Sequence, residues 1–286
     1  MKISNLTRAN TLIQALPYIQ EYREKVIVVK YGGNAMQSMS LEEAVIKDII
    51  LMNCVGIKVV LVHGGGPDID NMLKKVGKKS EFINGLRYTD EETMEIVQMV
   101  LAGKVNKELV ALINKNGGKA LGLCGIDGAM IKANKKISNM DYGYVGEIEE
   151  INTEVISSAL EKNYISVIST IAYGEDGKAY NINADIAAAK IAGALKAEKL
   201  IILTDVQGIL RDIEDEDTLI SNIHLKELDT IIENKIIKGG MIPKIECCKS
   251  AIINGVKKAH IIDGRIPHTI LLELFSRNGV GTMIEK

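Results

Sequence analysis

The sequence predicts an α/β fold: a three-layer αβα sandwich around a central, mostly parallel sheet. Three observations carry this. Short runs rich in Val, Ile and Leu at 26–30, 57–62, 165–171, 199–204 and 257–262 read as strands covered on both faces. Stretches with helical periodicity separate them, and strand–helix–strand with buried strands implies parallel pairing. The first two strands run into glycines, Gly32-Gly33 and Gly64-Gly65-Gly66. Such turns at strand ends are where an open α/β sheet binds ligands.

Composition narrows the class. A chain of 286 residues, 47% hydrophobic and 25% charged, can bury a large core, so disorder is not expected. The formal net charge of −2 speaks against binding nucleic acid or a membrane surface by bulk charge. With no Trp and two Phe, the core must be aliphatic. Cys54, Cys124, Cys247 and Cys248 form no C-x-x-C pair, and the four histidines lack metal spacing, so reduced thiols and no protein-held metal are expected. No signal-peptide core or membrane-length apolar run is seen, which points to a cytoplasmic protein.

The elements follow in order. Residues 5–24 have helical spacing (Leu6, Ala9, Leu12, Ile13, Leu16, Ile19), with Pro17 as an expected kink. Spacing alone favours the chain's own core as the dock for that stripe, with a second subunit as the alternative. Strand 26–30 comes next. Ser40 with Glu43 reads as a capping box for a helix whose buried face holds Leu41, Ala44, Val45, Ile49 and Met52. Gly56 stops it. After strand 57–62 and the glycines, a helix spans 68–76. Asn84-Gly85 signals a hairpin. Thr89 or Asp90 caps one long helix to about Asn116, ended by Gly117-Gly118. A strand at 119–124, a hairpin excursion within 129–150, a helix at 155–160 and the strand at 165–171 follow. A turn at 174–177 leads to an Ala-rich helix at 186–192 and the strand at 199–204. An acidic loop spans 212–217 and a helix 225–232. The turn 238–244 opens a helix at 245–254. Strand 257–262, helix 268–275 and a terminal edge strand at 281–284 complete the chain.

Three glycines between a buried strand and a helix start let backbone N–H groups approach an anion, and the helix N-terminus favours negative charge. Neither the G-x-x-x-x-G-K-[ST] loop nor a strand-linked G-x-G-x-x-G is present, so P-loop and dinucleotide-binding architectures are disfavoured. A G-x-S-x-G nucleophile is absent too. What remains is glycine turns edged by lysines: Lys30 before Gly32, and Lys244 after Gly239-Gly240. Phosphoryl transfer needs cations, N–H donors and alignment more than covalent chemistry. Taken singly, each lysine reads as a surface charge, Asp185 as a first-turn helix acid, and Arg87 as a surface charge or a fork for a carboxylate.

Taken together, Val-Lys-Tyr-Gly-Gly-Asn-Ala-Met at 29–36, Val-His-Gly-Gly-Gly-Pro at 62–67, Asn-Gly-Leu-Arg at 84–87, Asn-Ile-Asn-Ala-Asp at 181–185, Leu-Thr-Asp-Val at 203–206 and Gly-Gly-Met-Ile-Pro-Lys at 239–244 resemble the amino acid kinase family over nearly the whole chain. The Asn-Gly-Leu-Arg segment resembles the branch acting on N-acetyl-L-glutamate. The resemblance implies ATP, accompanied by Mg2+, phosphorylating that substrate's side-chain carboxylate in arginine biosynthesis. It implies that Lys30 and Lys244 neutralise the transferring phosphoryl group, with Asp185 holding both. It gives Gly33 and Gly65 N–H contacts to phosphate, sets Gly65 and Gly66 beside the substrate, and assigns Arg87 to the α-carboxylate and Asn181 to the acetamido end. Asp205, Val206, Gln207, Gly208, Ile209 and Leu210, with Ile236, Ile237 and Lys238, would line the nucleotide pocket. A carboxylate with pKa near ~4.3 is already ionised at neutral pH, so no general base is required.

The ends resemble the arginine-sensitive members. Residues 1–24 would be an oligomerisation and regulatory helix, interlacing dimers into a homohexamer. Residues 25–173 would form the lobe for the amino-acid substrate and 174–286 the lobe for ATP. Lys199, His268, Glu273 and Gly279 would contact arginine as an allosteric inhibitor. Two alternatives stand beside this reading: a sibling kinase acting on another small acid, and a non-catalytic arginine-binding regulatory protein.

Overall fold

The computed structural model describes residues 4–33, 38–212, 215–233, 240–277 and 279–286. Ile236, Ile237 and Lys238, expected at the nucleotide, and the 34–36 end of the first motif lie outside the described residues. An eight-stranded sheet contains β1 (Val26–Tyr31), β2 (Lys58–His63), β5 (Ala120–Cys124), β8 (Ile165–Ser169), β11 (Lys199–Thr204), β12 (Asn222–His224), β13 (Lys258–Asp263) and β14 (Thr282–Glu285). Its order is β12-β14-β13-β11-β1-β2-β8-β5, and every described pairing is parallel except β13 with β14. A hairpin of β3 (Phe82–Ile83) and β4 (Leu86–Arg87) stands apart. A four-stranded sheet holds β6 (Ile131–Lys135), β7 (Gly146–Ile151), β9 (Ile171–Tyr173) and β10 (Ala179–Asn181).

Successive strand residues point to opposite faces, and the central sheet is covered on both. Val28, Val60, Val62, Leu200 and Ile202 pack with α6 (Glu154–Glu161), α7 (Ala184–Ala194), α8 (Leu228–Glu233) and α9 (Met241–Ile253). Ile27, Val29, Tyr31, Val59, Leu61, Ile201 and Leu203 pack with α2 (Met39–Cys54), α3 (Gly66–Lys75), α4 (Glu91–Gln98), α5 (Asn106–Lys115) and α10 (Thr269–Leu274). This alternation assigns two later residues. Lys30 shares the face of Val28, toward α7. His63 shares the face of Leu61, toward α5.

Several expectations need correction. Helix α1 (Asn5–Tyr22) continues through Pro17 without a break. The Ile13 carbonyl that Pro17 leaves without its helical donor belongs to an exposed residue, where water can satisfy it. The α1 stripe is not docked on the chain's own core: Leu6 and Leu12 are each 72% exposed and Ile13 67%, and only Tyr22 is buried. Ser40 is not a cap, because α2 begins at Met39 after Ser38, and Glu43 pairs with Lys47 one turn on. The long helix is not uniform. Asp90 caps it, its side chain accepting from the Thr93 N–H, but residues Met99–Val105 between α4 and α5 take wider π turns. Strand 165–171 divides at Thr170 into β8 and β9, which belong to different sheets. Helix α9 starts at Met241, so Pro243 and Lys244 lie in its first turns rather than before it; proline fits there because those N–H groups lack helical partners anyway. Finally, β14 is an interior strand, and β12, unforeseen, is the edge.

Candidate active site

Two glycine turns meet at the C-terminal ends of β1 and β2. The Gly64 N–H donates to the Tyr31 carbonyl at 2.9 Å, tying one turn to the other. Gly65 has no room for a side chain, since a Cβ there would stand 2.6 Å from Leu101 Cδ2. That close approach is what the run of three glycines permits. Around these turns lies a cleft lined by Lys30, Gly32, Gly33, Gly64–66, Arg87, Thr170, Asn181 and the Asn183-Ala184 start of α7, with Ile69, Phe82, Leu86, Leu101 and Val145 as apolar wall. Two helix N-termini, of α3 and α7, open onto it, which favours an anion.

Asn183 caps α7, its Oδ1 accepting from the Asp185 N–H at 2.9 Å and the Ile186 N–H at 3.2 Å. The cap sets Asp185 in the first turn, buried at 8% exposure. Lys30 Nζ lies 2.9 Å from one Asp185 oxygen, and Lys244 Nζ donates to the other at 2.9 Å. The three residues therefore come together from β1, α7 and α9, and their charges leave the spot net positive. Burial alone would raise the Asp185 pKa. The two ammonium groups outweigh it and hold the carboxyl below its usual range. Both oxygens are engaged by lysines, and among the described residues no group of three or more His, Cys, Asp or Glu could hold a metal ion.

Arg87 is 8% exposed and held from three sides. Its Nη1 donates to Asp70 Oδ1 at 2.6 Å and to Ser80 Oγ at 2.8 Å, and its guanidinium lies 4.7 Å from the Phe82 ring centre. Nη2 faces the Gly66 carbonyl at 3.4 Å, at the cleft wall. The Asn84-Gly85 turn, with φ of 48° and 80°, is the type I′ geometry that closes the β3–β4 hairpin carrying Arg87. Asn181, on β10, donates to Thr89 Oγ1 at 3.2 Å and reaches the cleft from the smaller sheet.

Asp205 to Leu210 follow β11 at the same end of the sheet as Lys30. Asp205 is exposed. Ile209 is 2% exposed, with its N–H on Thr282 Oγ1 at 2.8 Å, and Leu210 bridges Leu219. A second cavity, lined by Arg211, Ile220, Asn222, Lys226 and Thr230, begins immediately beyond.

Of the four residues expected at arginine, three come together through a fourth that sequence reasoning missed. Lys199 Nζ lies 3.0 Å from His260 Nε2, and His260 Nδ1 lies 2.6 Å from Glu273 Oε1. Gly279 backs onto the Glu273 carboxylate, whose Oε2 accepts the Val280 N–H at 2.7 Å. Burial, reinforced by Lys258, pulls the Lys199 pKa down to about 8, and burial lowers His260. Lys199 also stands 5.2 Å over the Tyr22 ring of α1. His268 lies elsewhere, its Nδ1 2.6 Å from Asp48 of α2, whose burial pushes its pKa up to about 6. The signal for His260 was available: it lies at the middle of an apolar strand, where a polar residue must find partners.

Among the described residues no helix is long and apolar enough to cross a membrane. The sequence pattern of the Amino acid kinase family matches residues 25–263. An acetylglutamate kinase of Clostridium kluyveri is 62% identical over 276 residues, 96% of this chain and 98% of that protein. Crystal structures of N-acetylglutamate synthase from Neisseria gonorrhoeae superpose with a TM-score of 0.85 at 28% identity in the complex with coenzyme A and N-acetyl-glutamate, and 0.79 at 26% in the complex with coenzyme A and L-arginine. Each covers 97% of this chain, which spans only 63% and 65% of the synthase chains. The chain belongs to the amino acid kinase family and groups within it with the acetylglutamate kinases.

Proposed function

We propose that the chain transfers the γ-phosphoryl group of ATP to the side-chain carboxylate of N-acetyl-L-glutamate, giving an acyl phosphate in arginine biosynthesis, under feedback inhibition by arginine. The observation that carries the reaction is Asp185 fixing Lys30 and Lys244 beside two glycine turns and two helix N-termini. That arrangement suits the charge of a transferring phosphoryl group. In this reading the lysines meet its oxygens, and Gly33 and Gly65 donate N–H groups. The acidic substrate lies along Gly65 and Gly66, with Arg87 at its α-carboxylate and Asn181 at its acetamido end. The 25–173 half of the chain holds the acid and the 174–286 half the nucleotide, with Asp205 to Leu210 at the ATP. Magnesium enters on the nucleotide as MgATP, in keeping with an Asp185 already committed to the lysines. An ionised acceptor carboxylate needs no base, and no unengaged acid or histidine is needed among the cleft residues.

ADP release would be measured with N-acetylglutamate, glutamate, aspartate, carbamate and UMP, each with and without arginine. Turnover of N-acetylglutamate alone, suppressed by arginine, is expected. Turnover of another acceptor instead would contradict the substrate, and arginine binding without any turnover would favour a regulatory protein. Arg87→Ala is expected to raise the KM for N-acetylglutamate about 10- to 100-fold with kcat changed far less. A fall in kcat with unchanged KM would remove Arg87 from the substrate-binding role.

The regulatory part of the proposal rests on α1. Its exposed Leu6, Leu12, Ile13 and Leu16 form an apolar stripe left uncovered among the described residues, and its Tyr22 reaches Lys199 of the Lys199–His260–Glu273 cluster. We assign the stripe to a second copy of α1, joining dimers into a hexamer, and the cluster to arginine. Deleting residues 1–24 should give dimers by analytical ultracentrifugation and weaken arginine inhibition. A truncated protein that stays hexameric would contradict the assignment.

A further inference from the structure

The glycine turn is gripped from the face opposite the lysines. His63, the last residue of β2, is fully buried and faces α5. Its Nδ1 lies 2.9 Å from the Gly64 carbonyl and its Nε2 lies 3.1 Å from Asn106 Nδ2. Asn106 is buried too, and its amide is oriented on every side. The two Nδ2 hydrogens serve the nearer pair of acceptors, the Val167 carbonyl at 2.9 Å and His63 Nε2, with the Leu123 carbonyl farther off at 3.3 Å, while Oδ1 accepts from Lys107 Nζ at 3.0 Å.

This set fixes the imidazole tautomer. Asn106 presents a donor to Nε2, so Nε2 must accept and the proton must sit on Nδ1, where it donates to Gly64 O. The other tautomer would set two donors against each other and a lone pair against a carbonyl. Burial supports the neutral ring, pulling the His63 pKa down to about 4.

The consequence reaches the cleft through one peptide plane. No described peptide is cis. In a trans peptide the C=O and the following N–H point in opposite directions. With the Gly64 carbonyl held down on His63, the Gly65 N–H points the other way, into the space that Gly64, Gly65 and Gly66 line. No carbonyl among the described residues receives that N–H. The π turns complete the grip. Leu101 and Val105 press on Gly65, and the next residue, Asn106, reaches His63.

We propose that His63 and Asn106 are positioning residues for phosphoryl transfer: they pin the Gly64 carbonyl and thereby aim the Gly65 N–H at the transferring phosphoryl group. The inference rests on the phosphoryl-transfer reading above and deepens it, since neither residue touches substrate itself.

Three measurements on the full chain test it. His63→Leu, which fills the buried site without hydrogen bonds, should lower kcat about 10- to 100-fold, with both KM values within about threefold of wild type and an unchanged circular dichroism spectrum. His63→Asn, whose amide N–H can reach the same carbonyl, should recover most of that loss. Ring 15N shifts of His63 in labelled wild-type protein at pH 7 should report protonation at Nδ1, a reading that needs no variant to fold. A folded His63→Leu with wild-type kcat, a loss confined to KM, an Asn variant as poor as Leu, or protonation at Nε2 would each overturn the proposal. Wild-type protein inactive toward N-acetylglutamate would overturn the underlying reading, and this inference with it. Active wild type with an unimpaired His63→Leu would overturn this inference alone.

Discussion

Lys30→Ala and Lys244→Ala are each expected to lower kcat about 10²- to 10³-fold, with KM for ATP and for N-acetylglutamate shifting by no more than about threefold. The signature follows from where the charges stand. Both ammonium groups sit at 2.9 Å from a buried carboxylate and so are held in place before substrate arrives. Charge that shifts onto the phosphoryl oxygens as bonds break meets a field already organised, and the gain is made mainly in the transition state. Removing one ammonium therefore costs turnover more than binding. Single-turnover and steady-state kinetics of both variants measure this. If both turn over at the wild-type rate, the lysines are not the phosphoryl-stabilising groups.

Asp185→Asn is the second large effect, and it should appear in stability as well as rate. The substitution leaves the buried Lys30 ammonium and the half-buried Lys244 ammonium without their counter-charge, a loss of about 3 kcal/mol on the scale for breaking one side of a buried ion network. The lysines then separate, and kcat falls with them. ATP should stabilise the variant more than wild type against heat, because the nucleotide's negative charge replaces what the carboxylate supplied. The wild-type pH dependence has a matching sign. The folded pKa of Asp185 is depressed from its usual 3.8. Its contribution to stability is therefore fully present above about pH 4 and is lost as pH falls through the folded value. An Asp185→Asn melting curve that overlays wild type, with and without ATP, would show that the two lysines need no shared partner.

The strands and glycine turns were legible because a buried parallel strand and a glycine-rich turn are local patterns. The 199–204 strand matched residue for residue, and Asn84-Gly85 closed its hairpin, because its φ values suit those two residues. What was not legible depends on non-local pairing. Nothing within Thr282–Glu285 says that a three-residue strand, Asn222–His224, will cover its outer edge. The π turns at Met99–Val105 serve a contact with Gly65, far earlier in the chain, which no periodicity within the helix encodes. The Lys30–Asp185–Lys244 cluster was reached by resemblance, since each residue alone reads as an ordinary surface or helix-end charge. His63 stood in plain view inside Val-His-Gly-Gly-Gly-Pro. Its importance emerges only when the fold brings Asn106 beneath it.

The central claim is that this cleft phosphorylates a carboxylate of N-acetylglutamate, and its most direct test is identification of the product. The protein would be incubated with ATP, Mg2+, N-acetyl-L-glutamate and hydroxylamine, and the products followed by mass spectrometry. The side-chain hydroxamate of N-acetylglutamate, formed in step with ADP and lost in Lys30→Ala and Lys244→Ala, is the predicted result. ADP released with no hydroxamate formed would contradict the account.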